Sequence, residues 1–145
     1  MANEQTWSLR AEMDAITDVA VSVHHAAQSV LGEDHASDVE LALVEVLTNI
    51  IRHGYGDGPG QIEVCLVRHP DGVQLIVSDR GKSIPPGLLE AAQIDGFSFD
   101  IETLEGLPEG GMGLPLIVML MSDVTYTHAD GRNILSMFRR RGSTA

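Results

Sequence analysis

The apolar residues of this chain keep one period early and another later, and that order limits what the chain can build. Across residues 12–31, Met13, Ile16, Val19, Ala20, Val23, Ala27 and Val30 recur at three and four, which predicts an amphipathic helix closed by Gly32. A second helical stripe, Val39, Leu43, Val46 and Ile50, runs over residues 35–53 and meets Gly54 and Gly56. From residue 61 the period drops to two. QIEVCLVRH alternates, Pro70-Asp71-Gly72 turns the chain, and VQLIVSD returns as the second strand of a hairpin. TWSLRA, ahead of both helices, suits an edge strand. Pro85-Pro86-Gly87 interrupts the chain and LLEAAQ suits a short helix. Residues 94–112 keep no period and read as a mobile loop. A strongly apolar helix over residues 114–121 and two strands, DVTYTH and NILSMFRR, joined through Asp130-Gly131, complete the order. Helical stripes must be buried against the apolar face of a sheet. The pattern therefore predicts an α/β (α+β) two-layer sandwich: a mixed, mostly antiparallel β-sheet with helices on one face.

Composition narrows the function classes. At 145 residues with 43% hydrophobic content, residues 1–145 are expected to form a single domain with a core of its own. The start, MANEQTWSLRAEMD, lacks the basic and apolar regions of a signal peptide, and no apolar run reaches membrane-spanning length. The single cysteine, Cys65, allows no internal disulfide, so a cytoplasmic location is expected. A net charge of −12 opposes binding to nucleic acid or an anionic membrane. Arg139-Arg140-Arg141 reads as a solvated terminus. A phosphate-bearing ligand would have to be held by local devices: a helix N-terminus, backbone amides or a bound cation.

Three polar stretches stand out from the apolar pattern. In EVLTNIIRH, Glu45, Asn49 and His53 recur every four residues and share one row of a helix. A solvated helix face accounts for such a row. So does chemistry: a carboxylate accepts a proton from an attacking hydroxyl, and a carboxamide oxygen is a hard, neutral ligand for magnesium. In VSDRGKSIPPG an apolar strand ends on Asp79, with Gly81 two residues on. An ordinary strand-to-loop turn explains it, as does recognition of adenine. A carboxylate accepts from the exocyclic amino group of adenine but opposes the carbonyl of guanine, and a glycine lets backbone pass close to the base. In PEGGMGLPLIVML, Gly110, Gly111 and Gly113 precede a helix with Pro115 in its first turn. That is either a hinge or a phosphate cradle at a helix N-terminus. It is neither a P-loop nor a dinucleotide fingerprint.

The order of the three carries more than any one of them. A helix with Glu-x-x-x-Asn, a strand ending in Asp-x-Gly, a loop, then Gly-x-Gly opening a helix resembles the GHKL (Bergerat-fold) ATP-binding domain over nearly the whole chain. EVLTNIIRHGYG, DRGKSIPPG and EGGMGLPLIVMLMSDV together look most like the stand-alone anti-sigma factor serine/threonine kinases of the RsbW and SpoIIAB type. The resemblance implies ATP and Mg2+ as ligands. Asn49 would bind the magnesium and Glu45 would be the general base. Asp79 would hold the adenine amino group beside Gly81. Gly111, Met112, Gly113 and Leu114 would cradle phosphates, and residues 94–110 would be the lid. His53 has no role in that scheme.

Two positions depart from the pattern. Ser83 stands where the second glycine of Asp-x-Gly-x-Gly is usual, and Gly131-Arg132-Asn133 replaces a Gly-Thr pair before the last strand. A histidine-kinase role is disfavoured, because His24-His25 precede the first motif without a second helix of a dimerisation hairpin. The resemblance implies transfer of the γ-phosphoryl group to a serine of a STAS-domain anti-anti-sigma protein, sequestration of a sigma factor, and homodimerisation through the outer sheet face. Alternatives are a switch kinase acting on a scaffold STAS protein, a nucleotide-gated binding protein without transfer, and a structural module with no ligand.

Overall fold

The computed structural model describes residues 3–83 and 113–142. In chain order these form β1 (Glu4–Arg10), α1 (Ile16–Leu31), α2 (Glu33–Asn49), β2 (Gln61–His69), β3 (Gly72–Asp79), α3 (Gly113–Leu120), β4 (Ser122–Ala129) and β5 (Arg132–Arg140). The short helix expected in LLEAAQ, the loop over residues 94–112 and the lid within it lie outside the described residues.

The five strands make one sheet in the order β1-β2-β3-β5-β4, antiparallel throughout. Alternation sends Leu9, Ile62, Val64, Leu66, Val73, Leu75, Val77, Leu135 and Met137 to one face, where the helices cover them. From α1 come Val19, Val23 and Ala27; from α2 come Val39, Leu43, Val46 and Leu47; α3 adds Ile117. The small residues Ala26, Ala27, Ala36 and Ala42 line the buried faces of α1 and α2 and let the two helices approach closely. This is the sandwich expected from the sequence, and β1 is the expected edge strand, bonded to β2 alone.

Local chemistry sets the element ends. Gly32 joins the two long helices without a loop: its N–H donates to the Gln28 carbonyl, and its own carbonyl accepts from Ala36. Asp130 and Gly131 both take positive φ, 56° and 74°, the twist that suits a two-residue hairpin between β4 and β5. The expectation of a solvated arginine terminus is corrected at Arg139. It lies within β5, half-buried, with one guanidinium nitrogen 2.8 Å from Asp38 of α2 and another donating to the Leu120 carbonyl at the end of α3. Among the described residues no helix is long and apolar enough to cross a membrane.

Candidate nucleotide site

Glu45 and Asn49 lie on the last turns of α2, both half-buried, beside the buried Val46 and Leu47. The helix does not simply continue to His53. After Asn49 it widens into a π-helical turn, Ile50–Gly54, in which the Tyr55 N–H reaches back to the Ile50 carbonyl at 2.8 Å. Ile51, four residues on from the buried Leu47, is fully buried, and Ile50 is half-buried. His53 lies within this turn and is exposed, while Glu45 and Asn49 are half-buried. π-turns of this kind recur where a helix carries functional residues.

The end of β3 is built against that turn. Lys82 N–H donates to the Gly54 carbonyl at 2.6 Å. Gly81 lies so close that a Cβ there would stand 2.6 Å from both the carbonyl carbon and the oxygen of Gly54. Gly81 is therefore required by the passing backbone of the π-turn, whatever else approaches it. Tyr55 closes the joint. Its hydroxyl donates to the Gln61 carbonyl at the start of β2 (2.7 Å) and accepts from the Arg80 N–H just past β3 (2.8 Å), while its ring lies over Gly60.

Asp79 ends β3 on the inner face of the sheet, in register with Ile62 of β2 and Asn133 of β5. It is 7% exposed, a carboxylate in the last inward position of a strand whose earlier inward residues are apolar. A buried carboxylate needs donors, and two converge on its Oδ1: the Gly81 N–H at 2.8 Å and the Asn133 Nδ2 at 2.9 Å. Asn133, 1% exposed, also donates Nδ2 to the Gly81 carbonyl at 2.9 Å, and its Oδ1 lies 2.5 Å from His128 Nδ1 on β4.

The structure thus brings Asp79 and Gly81 against the turn that follows Asn49, and packs α3, which begins at Gly113 and Leu114, on α2. Pro115 is in the first turn of α3 as expected, and buried. Gly111 and Met112 lie outside the described residues. Sequence reasoning missed His128 and Tyr55 as parts of this corner, and it marked Asn133 only within the stretch that replaces a Gly-Thr pair, not as a partner of Asp79. A signal for Asn133 exists: it shares the parity of Leu135 and Met137, so alternation alone places it inward at the end of the sheet where Asp79 lies.

Among the described residues no group of three or more His, Cys, Asp or Glu side chains could hold a metal. The half-buried Asn49 offers a carboxamide oxygen, a hard neutral donor of the kind that suits magnesium.

Residues 6–139 match the histidine kinase-like ATPase domain. Over 102 residues the chain is 31% identical to the serine-protein kinase RsbW of Bacillus mycoides (strain KBAB4), and also 31% to that of Bacillus cereus (strain AH187). Each alignment covers 70% of this chain and 62% of the relative, so the chain spans under two thirds of the length of the curated relatives it matches. With the family's domain matched over residues 6–139, the chain belongs to the histidine kinase-like ATPase family.

Proposed function

We propose that this chain is an ATP-dependent protein serine kinase that acts as an anti-sigma factor in the cytoplasm. It would phosphorylate a STAS-domain anti-anti-sigma protein and hold a sigma factor while that partner is phosphorylated. The reading is supported by one observation above the others: a buried, doubly hydrogen-bonded Asp79 sits against the turn that follows Glu45 and Asn49, in a chain similar to proteins named serine-protein kinase RsbW. Homodimerisation through the outer sheet face belongs to the same reading, as does residues 1–145 acting as a single domain with its lid at 94–110.

The roles follow from the chemistry of each group. Asp79 accepts from the adenine amino group, with Gly81 beside the base. Gly111, Met112, Gly113 and Leu114 offer backbone amides to phosphates at the opening of α3. The Asn49 oxygen is a ligand for Mg2+, which when bound neutralises phosphate charge in a chain of net charge −12. Glu45, one helical turn before Asn49, takes the proton of the attacking serine hydroxyl, a contribution of roughly 10²- to 10⁴-fold. No arginine occurs in residues 84–113, although Lys82 is close by, so turnover should be slow and governed by docking of the protein substrate.

The test is calorimetric titration with ATP, ADP and GTP, each with and without magnesium, followed by phosphotransfer to a STAS-domain protein. Magnesium-dependent adenine nucleotide binding that Asn49→Ala weakens is the expected result. Glu45→Ala should abolish transfer and leave ATP binding largely intact. Transfer at the normal rate by that variant would remove Glu45 from the base role, and absence of any nucleotide binding by the wild type would sink the kinase reading.

A further inference from the structure

Asn133 makes more hydrogen bonds than a residue filling a gap needs. Both hydrogens of its amide are spent, one on Asp79 Oδ1 and one on the Gly81 carbonyl, and both partners are acceptors. That settles which way the carboxamide faces. Rotated by half a turn, its oxygen would confront a carboxylate and a carbonyl at hydrogen-bond distance, three acceptors together in a buried corner. With the amide so oriented, Oδ1 points to His128, whose Nδ1 must then carry a proton and donate. His128 and Asn133 stand opposite each other on β4 and β5, and Asn133 and Asp79 on β5 and β3, so the three side chains form one line across three strands.

The direction of donation along that line has a consequence at its inner end. Gly81 N–H and Asn133 Nδ2 both engage Oδ1 of Asp79, and among the described residues no hydrogen bond falls on Oδ2. Among the described residues the carboxylate is thus held by one oxygen, and the other keeps its capacity as an acceptor. We propose that Asn133 is a positioning residue that sets base specificity: it fixes Asp79 so that Oδ2 accepts from an exocyclic amino group, and His128 keeps Asn133 in the orientation that does this. The inference rests on the adenine-nucleotide reading above and adds to it the residues that make the carboxylate directional.

The experiment compares ATP with inosine triphosphate, which carries a carbonyl in place of the amino group, by calorimetry on wild type, Asn133→Ala, Asn133→Thr and His128→Phe. Magnesium tripolyphosphate, which has no base, is titrated as a control. Asn133→Ala should lower ATP affinity roughly tenfold and shrink the preference for ATP over the inosine nucleotide by a similar factor, while tripolyphosphate binding stays unchanged. Asn133→Thr, which restores one donor toward Asp79, should recover part of the preference. His128→Phe should shrink it by a smaller factor, and nitrogen-15 NMR of the wild type should find the His128 proton on Nδ1.

An unchanged ATP preference in Asn133→Ala overturns the proposal. Should that variant fail to fold, an unchanged preference in His128→Phe together with a proton on Nε2 overturns it instead. If the wild type binds neither nucleotide, the kinase reading falls and this inference with it; discrimination by the wild type that the variants leave intact removes only the role of Asn133.

Discussion

The inner face of the sheet has two ends, and they are held together in different ways. Toward the middle, cross-strand neighbours are Leu66, Leu75 and Met137, all fully buried. Two rungs further along the same strands the neighbours are Ile62, Asp79 and Asn133, with His128 beyond. The first row asks for volume, and many apolar combinations of similar size would serve. The second asks for direction, because each donor faces one acceptor and a single wrong atom leaves a buried polar group unpaired. Packing and polar order are therefore separable along one strand: β3 carries volume at Leu75 and directed hydrogen bonds at Asp79.

Substitutions can sharpen or break that contrast. The largest expected loss of stability comes from the apolar end. Leu75→Ala should cost about 2–5 kcal/mol in urea denaturation, with the ATP-to-inosine-nucleotide preference unchanged in whatever fraction stays folded. A changed preference would show that the two ends are not independent. Gly81→Ala should cost less, about 1–3 kcal/mol, but should also weaken nucleotide binding, since the new methyl meets the backbone of Gly54 and no rotamer can relieve it. Normal stability and affinity in that variant would mean that the π-turn moves aside freely.

The smallest effect is one of pH, and it lies in the helical layer. His24 on α1 is 8% exposed, with Nε2 3.1 Å from Glu33 and Nδ1 2.8 Å from Glu40 of α2. The hydrogen bond to Glu33 raises its pKa above the ordinary 6.5; burial opposes the rise, and the charges of Glu33 and Glu40 reinforce it. A raised folded pKa means that the contribution to stability is full below the unfolded value and is lost as pH climbs through the folded one. Thermal unfolding should therefore show wild type losing stability as pH rises above the ordinary 6.5 and through the raised folded value, and His24→Gln losing less over the same rise. Equal slopes would remove His24 from the balance.

How much of this was legible in the sequence follows the same division. Alternation and the three-and-four stripes describe where apolar side chains go, so the strands, the two long helices and the inward rows could be read directly. Asp79 could be read because a carboxylate at the end of an apolar strand is conspicuous. The π-turn could not: Ile50, Ile51 and Arg52 suit an ordinary helix, and the widening depends on the Tyr55 amide bonding to Ile50 and on Gly54 meeting Gly81, partners supplied by the tertiary fold. Arg139 was misread for a related reason: its partners, Asp38 and the Leu120 carbonyl, are distant in sequence. Asn133 marked a departure from the family pattern, but its partnership with Asp79 needs the β3–β5 register.

Tyr55 has a bearing on how this corner comes apart. One hydroxyl joins the chain entering β2 to the chain leaving β3, and the ring above it covers Gly60. The connection from the π-turn to β2 is thus no independent flap. To swing away it must release Arg80 and Gln61 together, and with them the anchorage of the segment that carries Asp79 and Gly81. Opening here is a cooperative, sub-global event shared by a helix end and two strands, so the stiffness of this corner is borrowed from the sheet itself.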